Sequence, residues 1–239
     1  MINLLLQTFA GIFTPPLRIK EFVQQLYFFA NQSLPVVLFC VSFAAIVTIL
    51  ESSFHMKIVI QNDSMVPGFA ALLILRELGA VVTALLLTSR VGAGYASEIG
   101  IMQVTEQVDA LKMLGINPVQ YLVVPRFLAG IVGGVLLTVV ANIACLAVAV
   151  LVSTHYLDYT PNMFLTAMNR FVSFQDFIFA MIKGAFFGGV IPLVAAYFGF
   201  SCKAGAEGVG RATTNTVVVA SVAVIVIDFI LSYTFSYFY

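Results

Sequence analysis

The 239-residue chain is 61% hydrophobic and only 9% charged. A soluble domain carries about 25% charged side chains, so this composition excludes one and requires an integral membrane protein. Eleven basic against eleven acidic residues leave no net charge, which excludes the concentrated basic face of a nucleic-acid binder.

In chain order, the opening MINLLLQTFAGIF lacks a basic leader and a small-residue cleavage site, so it is not read as a removable signal peptide. Ile19, Phe22, Val23 and Leu26 then fall on one helical face, with Arg18, Glu21, Gln24 and Gln25 opposite. Preceded by Pro15-Pro16, this pattern predicts a helix over 17–29 lying in the membrane interface. Residues 34–50 are free of charge and just long enough to cross about 30 Å of hydrocarbon. Pro35 suits the first turn of that span, and Glu51 to Asp63 is a polar excursion.

Further spans are expected over 67–89, 127–152, 174–200 and 214–237. Between them lie an amphipathic helix over 98–114, a mixed stretch from Ser153 to Asp176 that reads as an interfacial loop or short helix, and a Gly-rich polar turn from Ser201 to Thr213. The expected fold is all-α, a single domain over 1–239 with five transmembrane helices, an N-terminal interfacial helix and a cytoplasmic helix. No repeat at regular spacing supports an inverted-repeat layout. With the N-terminus cytoplasmic, Arg18, Lys20, Arg90, Lys112, Arg126, Lys203 and Arg211 fall inside and only Lys57 and Arg170 outside, which puts the C-terminus outside.

Four charges remain within the spans: Arg76, Glu77, Lys183 and Asp228. Counted from the span ends, all sit at one depth, about 14 Å from the outer surface at the α-helical rise. Their sum is zero, as intramembrane charges must be if they pair. Two readings follow: mutual salt bridges that hold helices together, or a pair of which Arg76 or Glu77 faces an outward cavity and contacts a lipid head group. Lys183 is expected to pair with Asp228 and fix the fifth span against the fourth.

In the 98–114 helix, Ile101, Val104, Val108 and Leu111 make an apolar row and Glu106, Asp109 and Lys112 a polar one. The polar face is as acidic as basic, which suits a protein partner better than anionic lipid. Gly92 and Gly94 would let the chain turn sharply out of the second span.

Other patterns carry no chemistry. The run from Gly205 to Gly210 is a near miss to a phosphate-binding loop, with Arg211 and Ala212 where that motif needs Lys and a hydroxyl. His55 and His155 have no second ligand at metal spacing. Cys40, Cys145 and Cys202 read as small hydrophobes. The spacings Gly130–Gly134 and Gly184–Gly188 permit close helix contact, within the chain or across a homodimer seam.

The motifs resemble those of the MlaE/YrbE family of bacterial lipid-transport ABC permeases. The resemblance rests on Arg76-Glu77-Leu78-Gly79, Arg90-Val91-Gly92, Glu98-Ile99-Gly100 with Met102, Thr105-Glu106-Gln107, Ala110-Leu111, Pro118 and Pro125-Arg126, with a second block from Gly205 to Thr214 and Asp228 beyond it. It covers the chain from about Gln25 onward. Ala80 stands where the family usually has Pro and Ser97 where it has Ala, departures that bear on local helix shape.

The resemblance implies a phospholipid transporter of the bacterial inner membrane, serving outer-membrane lipid asymmetry and acting as a homodimer. Lipid would rest near Leu73, Leu75, Arg76, Glu77 and Leu78. The 98–114 helix would be a coupling helix, with Glu98, Met102, Thr105, Glu106, Gln107, Asp109 and Leu111 toward a separate ABC ATPase. That partner would hold the ATP and Mg and do the catalysis; this chain would carry no cofactor, metal or catalytic residue. An MCE-type substrate-binding protein and a small STAS-type subunit are the further partners implied. The rival readings are a secondary transporter that uses Arg76, Glu77, Lys183 and Asp228 as a proton or ion relay, and a membrane scaffold.

Overall fold

The computed structural model describes residues 1–12, 18–59, 65–203 and 205–238. Among them there is no strand, and five stretches are long and apolar enough to cross a membrane: Ile19–Met56, Val66–Val104, Val119–Tyr156, Phe174–Phe200 and Gly205–Tyr237. The chain is an all-α, multi-pass membrane protein. Pro15, Pro16 and residue 17, expected to introduce the first amphipathic helix, lie outside the described residues, as does 60–64 at the end of the polar excursion.

Helix α1 spans Ile2–Ile12. Helix α2, Ile19–Leu26, runs on through a π turn at Tyr27–Asn31, and α3 covers Leu34–Val59. The next span is composite: α4 (Val66–Leu73), a π segment (Ile74–Val82), α5 (Thr83–Leu87), a π turn (Thr88–Gly92) and α6 (Ala93–Val104). After α7 (Gln107–Met113), a π turn at Val119–Val123 leads into α8 (Val124–Tyr156). Helices α9 (Pro161–Phe171), α10 (Phe174–Phe200) and α11 (Gly205–Phe238) complete the chain. Proline marks four of these starts: Pro35, Pro67 and Pro125 in the first turns of α3, α4 and α8, and Pro161 after Thr160, whose Oγ1 accepts from the Met163 N–H at 3.3 Å.

Three local expectations change. Helix α3 continues past Leu50 to Val59, because 51–59 contains neither Gly nor Pro and Ser52 and Ser53 are buried. The Gly-rich stretch after Gly205 is helix, not a flexible turn. Glycine weakens a helix by about 1 kcal/mol but does not forbid it, and Glu207 and Arg211 form an i,i+4 pair at 3.4 Å there. Gly205, at φ +77°, makes the turn into α11. Finally, the helix passes straight through Gly92 and Gly94 and breaks only at Thr105–Glu106.

The chain divides into two compact units: 1–33 with 84–134 and 185–239, and 34–83 with 135–184. In the first, Ile99, Val123, Phe127, Leu193 and Ala196 form a core against which Leu4, Leu5 and Ile12 pack. Here α8 and α10 touch through backbone: a Cβ on Gly130 would meet the Gly188 carbonyl, and one on Gly188 the Gly130 carbonyl. Pro192 lies in the interior of α10 and has no N–H to give Gly188, so this is a helix face with a bare carbonyl. Small residues drive such contacts in lipid, where apolar burial alone does not. The Gly130 spacing is therefore used within the chain. In the second unit, Gly68 of α4 lies against Phe171 and the Ala167 carbonyl of α9, and Gly79 lies against the Asn142 side chain of α8.

Candidate functional site

Arg76 and Glu77 both lie in the Ile74–Val82 π segment. Such wide turns recur at functional sites. An α turn would set neighbouring side chains about 100° apart. In the wider turn the partly exposed residues are Leu72 and Leu73, then Arg76, Glu77 and Leu78, then Val81 and Val82, a repeat of four to five residues that forms one face. The charged pair thus shares that face with Leu73 and Leu78, whereas Leu75 is 4% exposed and belongs to the core.

Both charges are braced from α10. Arg76 Nε and Nη2 each lie 2.6 Å from Asp176 Oδ1. The other oxygen, Oδ2, accepts from the Ser173 N–H at 2.8 Å and from Ser173 Oγ at 3.1 Å. Ser173 and Asp176 stand as N-cap and third residue of α10, so the same carboxylate caps the helix and holds the arginine. Seven residues on, Lys183 Nζ donates to Glu77 at 2.9 and 3.0 Å and to the Arg76 carbonyl at 3.0 Å, with the Phe179 ring centroid 4.9 Å away.

Within this unit the carboxylate found against the Lys183 ammonium is Glu77, and the acid on Arg76 is Asp176; the expected Lys183–Asp228 pair would join the two units and stays an expectation. Asp228 lies on α11, in the other unit, and is partly buried. Asp176 is legible in sequence as the Ser-Xaa-Xaa-Asp signature before an apolar run, and with Arg76, Glu77 and Lys183 it makes a set of four charges that sum to zero. Asp176 and Lys183 are fully buried, while the Arg76 and Glu77 side chains keep 26% and 44% of their surface. The face is thus a rigid charged pair, backed by buried counter-charges and edged with leucine and valine.

The second constellation is in the other unit. Helix α6 ends where Thr105 Oγ1 bonds back to the Ile101 carbonyl at 2.8 Å and Glu106 takes a left-handed φ of 60°. Gln107 Nε2 then reaches Thr105 Oγ1 at 3.1 Å, and Asp109 pairs with Lys112 at 2.7 Å. At the far end, Gly115 N–H bonds to the Lys112 carbonyl and Ile116 N–H to that of Leu111, with Gly115 at φ +74°. That is a Schellman stop, which glycine alone adopts without strain.

The break explains why the expected apolar row fails: Val108 is buried but Ile101 is half exposed, since the two helices no longer share one periodicity. Thr105, Glu106, Gln107 and Asp109 are exposed, and Met102 and Leu111 are partly buried. Glu98 is committed within the chain, 2.8 Å from Arg126 Nη2 of α8. Arg126 also bonds to the Leu122 carbonyl and lies 5.2 Å from the Tyr95 ring centroid, so this pair ties α6 to α8. Periodicity gave no hint of Met113 and Leu114, which are 90% and 74% exposed at the tip of α7.

The family described as permease MlaE matches residues 22–234. The chain belongs to this family. A probable ABC transporter permease of Rickettsia felis is 34% identical over 226 residues, covering 95% of this chain and 87% of the relative. One from Synechocystis is 30% identical over 230 residues, covering 95% and 86%. The Arabidopsis chloroplast protein trigalactosyldiacylglycerol 1 is 35% identical over 165 residues, 69% of this chain and 47% of its own. As an MlaE-family member this chain is the permease subunit of an ABC transporter.

Proposed function

We propose that this permease moves phospholipid between the inner membrane of a bacterium and an MCE-type binding protein, driven by a separate ABC ATPase. The observation that carries the reading is the face of the Ile74–Val82 segment. It sets a partly exposed arginine and glutamate beside Leu73 and Leu78, which matches a molecule with a zwitterionic or anionic head and greasy tails. The Arabidopsis relative carries the name of a galactolipid, which agrees with lipid as the cargo class.

In this reading Asp176 and Lys183 keep Arg76 and Glu77 in place, so that a head group meets fixed charges and acyl chains lie along Leu73, Leu78, Val81 and Val82. The ATPase grips α7 through Thr105, Glu106, Gln107 and Asp109, with Met113 and Leu114 as apolar anchors. Motion there reaches α8 through the Glu98–Arg126 pair. Two copies of the chain give a dimeric ATPase one lever each, a small STAS-type subunit completes the assembly, and the N-terminus is cytoplasmic and the C-terminus periplasmic.

The test is gentle purification followed by mass spectrometry of co-purifying subunits and lipids. The expected result is an ATPase together with phospholipid, the lipid lost in Arg76→Gln/Glu77→Gln while the ATPase remains. Recovery of neither would overturn the reading. Lipid movement driven by a proton gradient without ATP would replace it with a relay.

A further inference from the structure

A second apolar slot lies beside α2, in the unit that does not contain Arg76. Its volume is about 280 Å³, and its walls are Gly11 of α1, Ile19 and Phe22 of α2, and Val124, Leu128 and Val132 of α8. Of the nine lining residues only Arg18 and Gln120 are polar. Around it, Ile19, Val23 and Tyr27 are 73%, 54% and 58% exposed while Phe22 and Leu26 are partly buried, so among the described residues the apolar side of α2 is only partly covered. Helix α2 opens the candidate span Ile19–Met56, and Arg18 stands at its N-cap. On the expectation that this helix lies in the membrane interface, Arg18 stands among lipid head groups.

Arg18 is held but not consumed. Its guanidinium carbon sits 4.1 Å from the Tyr121 ring centroid, and Nη1 lies 3.3 Å from Glu21 Oε1, with both side chains more than a third exposed. A surface pair of this kind contributes little, and the stacked ring fixes the cation where a second acceptor can reach it. Lys20, exposed and two residues along, leaves the rim net positive despite Glu21.

We propose that this slot binds one acyl chain of an anionic phospholipid whose phosphate sits on Arg18, a lipid that is a fixed part of the permease and not its cargo. A free anion would leave the apolar walls empty. A zwitterionic lipid would fill them but would bring a second cation up to Arg18 and Lys20. The slot shares no residue with the Arg76 face, so the proposal stands whether or not that face carries lipid.

The experiment uses the full chain in its purified, delipidated complex. It is labelled with phosphatidylglycerol carrying a photoreactive group in one acyl chain, and in parallel with phosphatidylcholine carrying the same group. Peptide mapping by mass spectrometry should place phosphatidylglycerol label on residues 124–132, ahead of phosphatidylcholine. Arg18→Gln should lower it about fivefold, as one juxtamembrane charge is expected to do. Val132→Trp, which fills the slot from its exposed side, should remove label from both lipids there, and neither variant should change label on 72–82. The proposal is overturned if Arg18→Gln labels 124–132 as strongly as the unaltered chain, or if the two lipids label it equally. Loss of label on 72–82 alone would count against the cargo site and leave this one standing.

Discussion

Removing the Lys183 ammonium tests the buried counter-charges most sharply. Lys183→Met keeps the length of the side chain but strips Glu77 of its ion pair and the Arg76 carbonyl of its donor, all three bonds being 2.9–3.0 Å long. Breaking a buried pair from one side costs 3–5 kcal/mol. Here the orphaned acid is 44% exposed and can reach water, so about 3 kcal/mol is expected. Glu77→Gln is the worse single change, about 4 kcal/mol within the same range, because the ammonium it abandons is fully buried. The double variant leaves no charge behind and should cost about 4 kcal/mol in all, a coupling near 3 kcal/mol, at the upper end for residues in contact. Reversible unfolding of the four proteins in mixed detergent micelles gives the cycle. A double variant whose cost equals the sum of the singles would refute the pairing.

Gly130→Ala should be damaging for a single methyl, since it meets the Gly188 backbone, which cannot swing aside; a loss of 1–3 kcal/mol is expected in the same assay, as for overpacking elsewhere. Gly115→Ala forces a side chain into the left-handed region, costs about 1 kcal/mol, and should show as faster amide exchange over Gln107–Leu114 with the spans unchanged. Met113→Ser/Leu114→Ser should leave thermal stability alone, both residues being exposed, yet weaken ATPase association about tenfold or more, as loss of an apolar anchor does. Unchanged ATPase recovery would remove α7 from the interface.

The five spans were legible because long charge-free runs have one physical use, and the Arg76-to-Arg126 motif block named the family directly. What stayed hidden was how the helices are wound. No residue pattern announces a π segment, and α-helical spacing offers no reason to put Arg76, Glu77, Leu73 and Leu78 on one face. Lys183 is recognisable as an intramembrane charge, but its contact with Glu77 depends on helix rotation, which depth counting omits. Asp176 was within reach through its capping signature with Ser173, had the boundary of the fourth span been read as a cap and not as a change in hydropathy. At Thr105–Glu106 a left-handed non-glycine residue breaks the helix where Gly92 and Gly94 looked the better hinge; packing held the helix through both glycines.

The most direct test is lipid transfer itself. The chain is reconstituted with its ATPase in vesicles, and ATP-dependent movement of labelled phospholipid to a soluble acceptor is followed for the unaltered protein and for Arg76→Gln/Glu77→Gln. ATP hydrolysis should persist while transfer falls about tenfold, the cost of roughly 1.4 kcal/mol in head-group contact. Transfer by the variant at the unaltered rate would contradict the central claim, that the charged pair on the π segment holds the cargo.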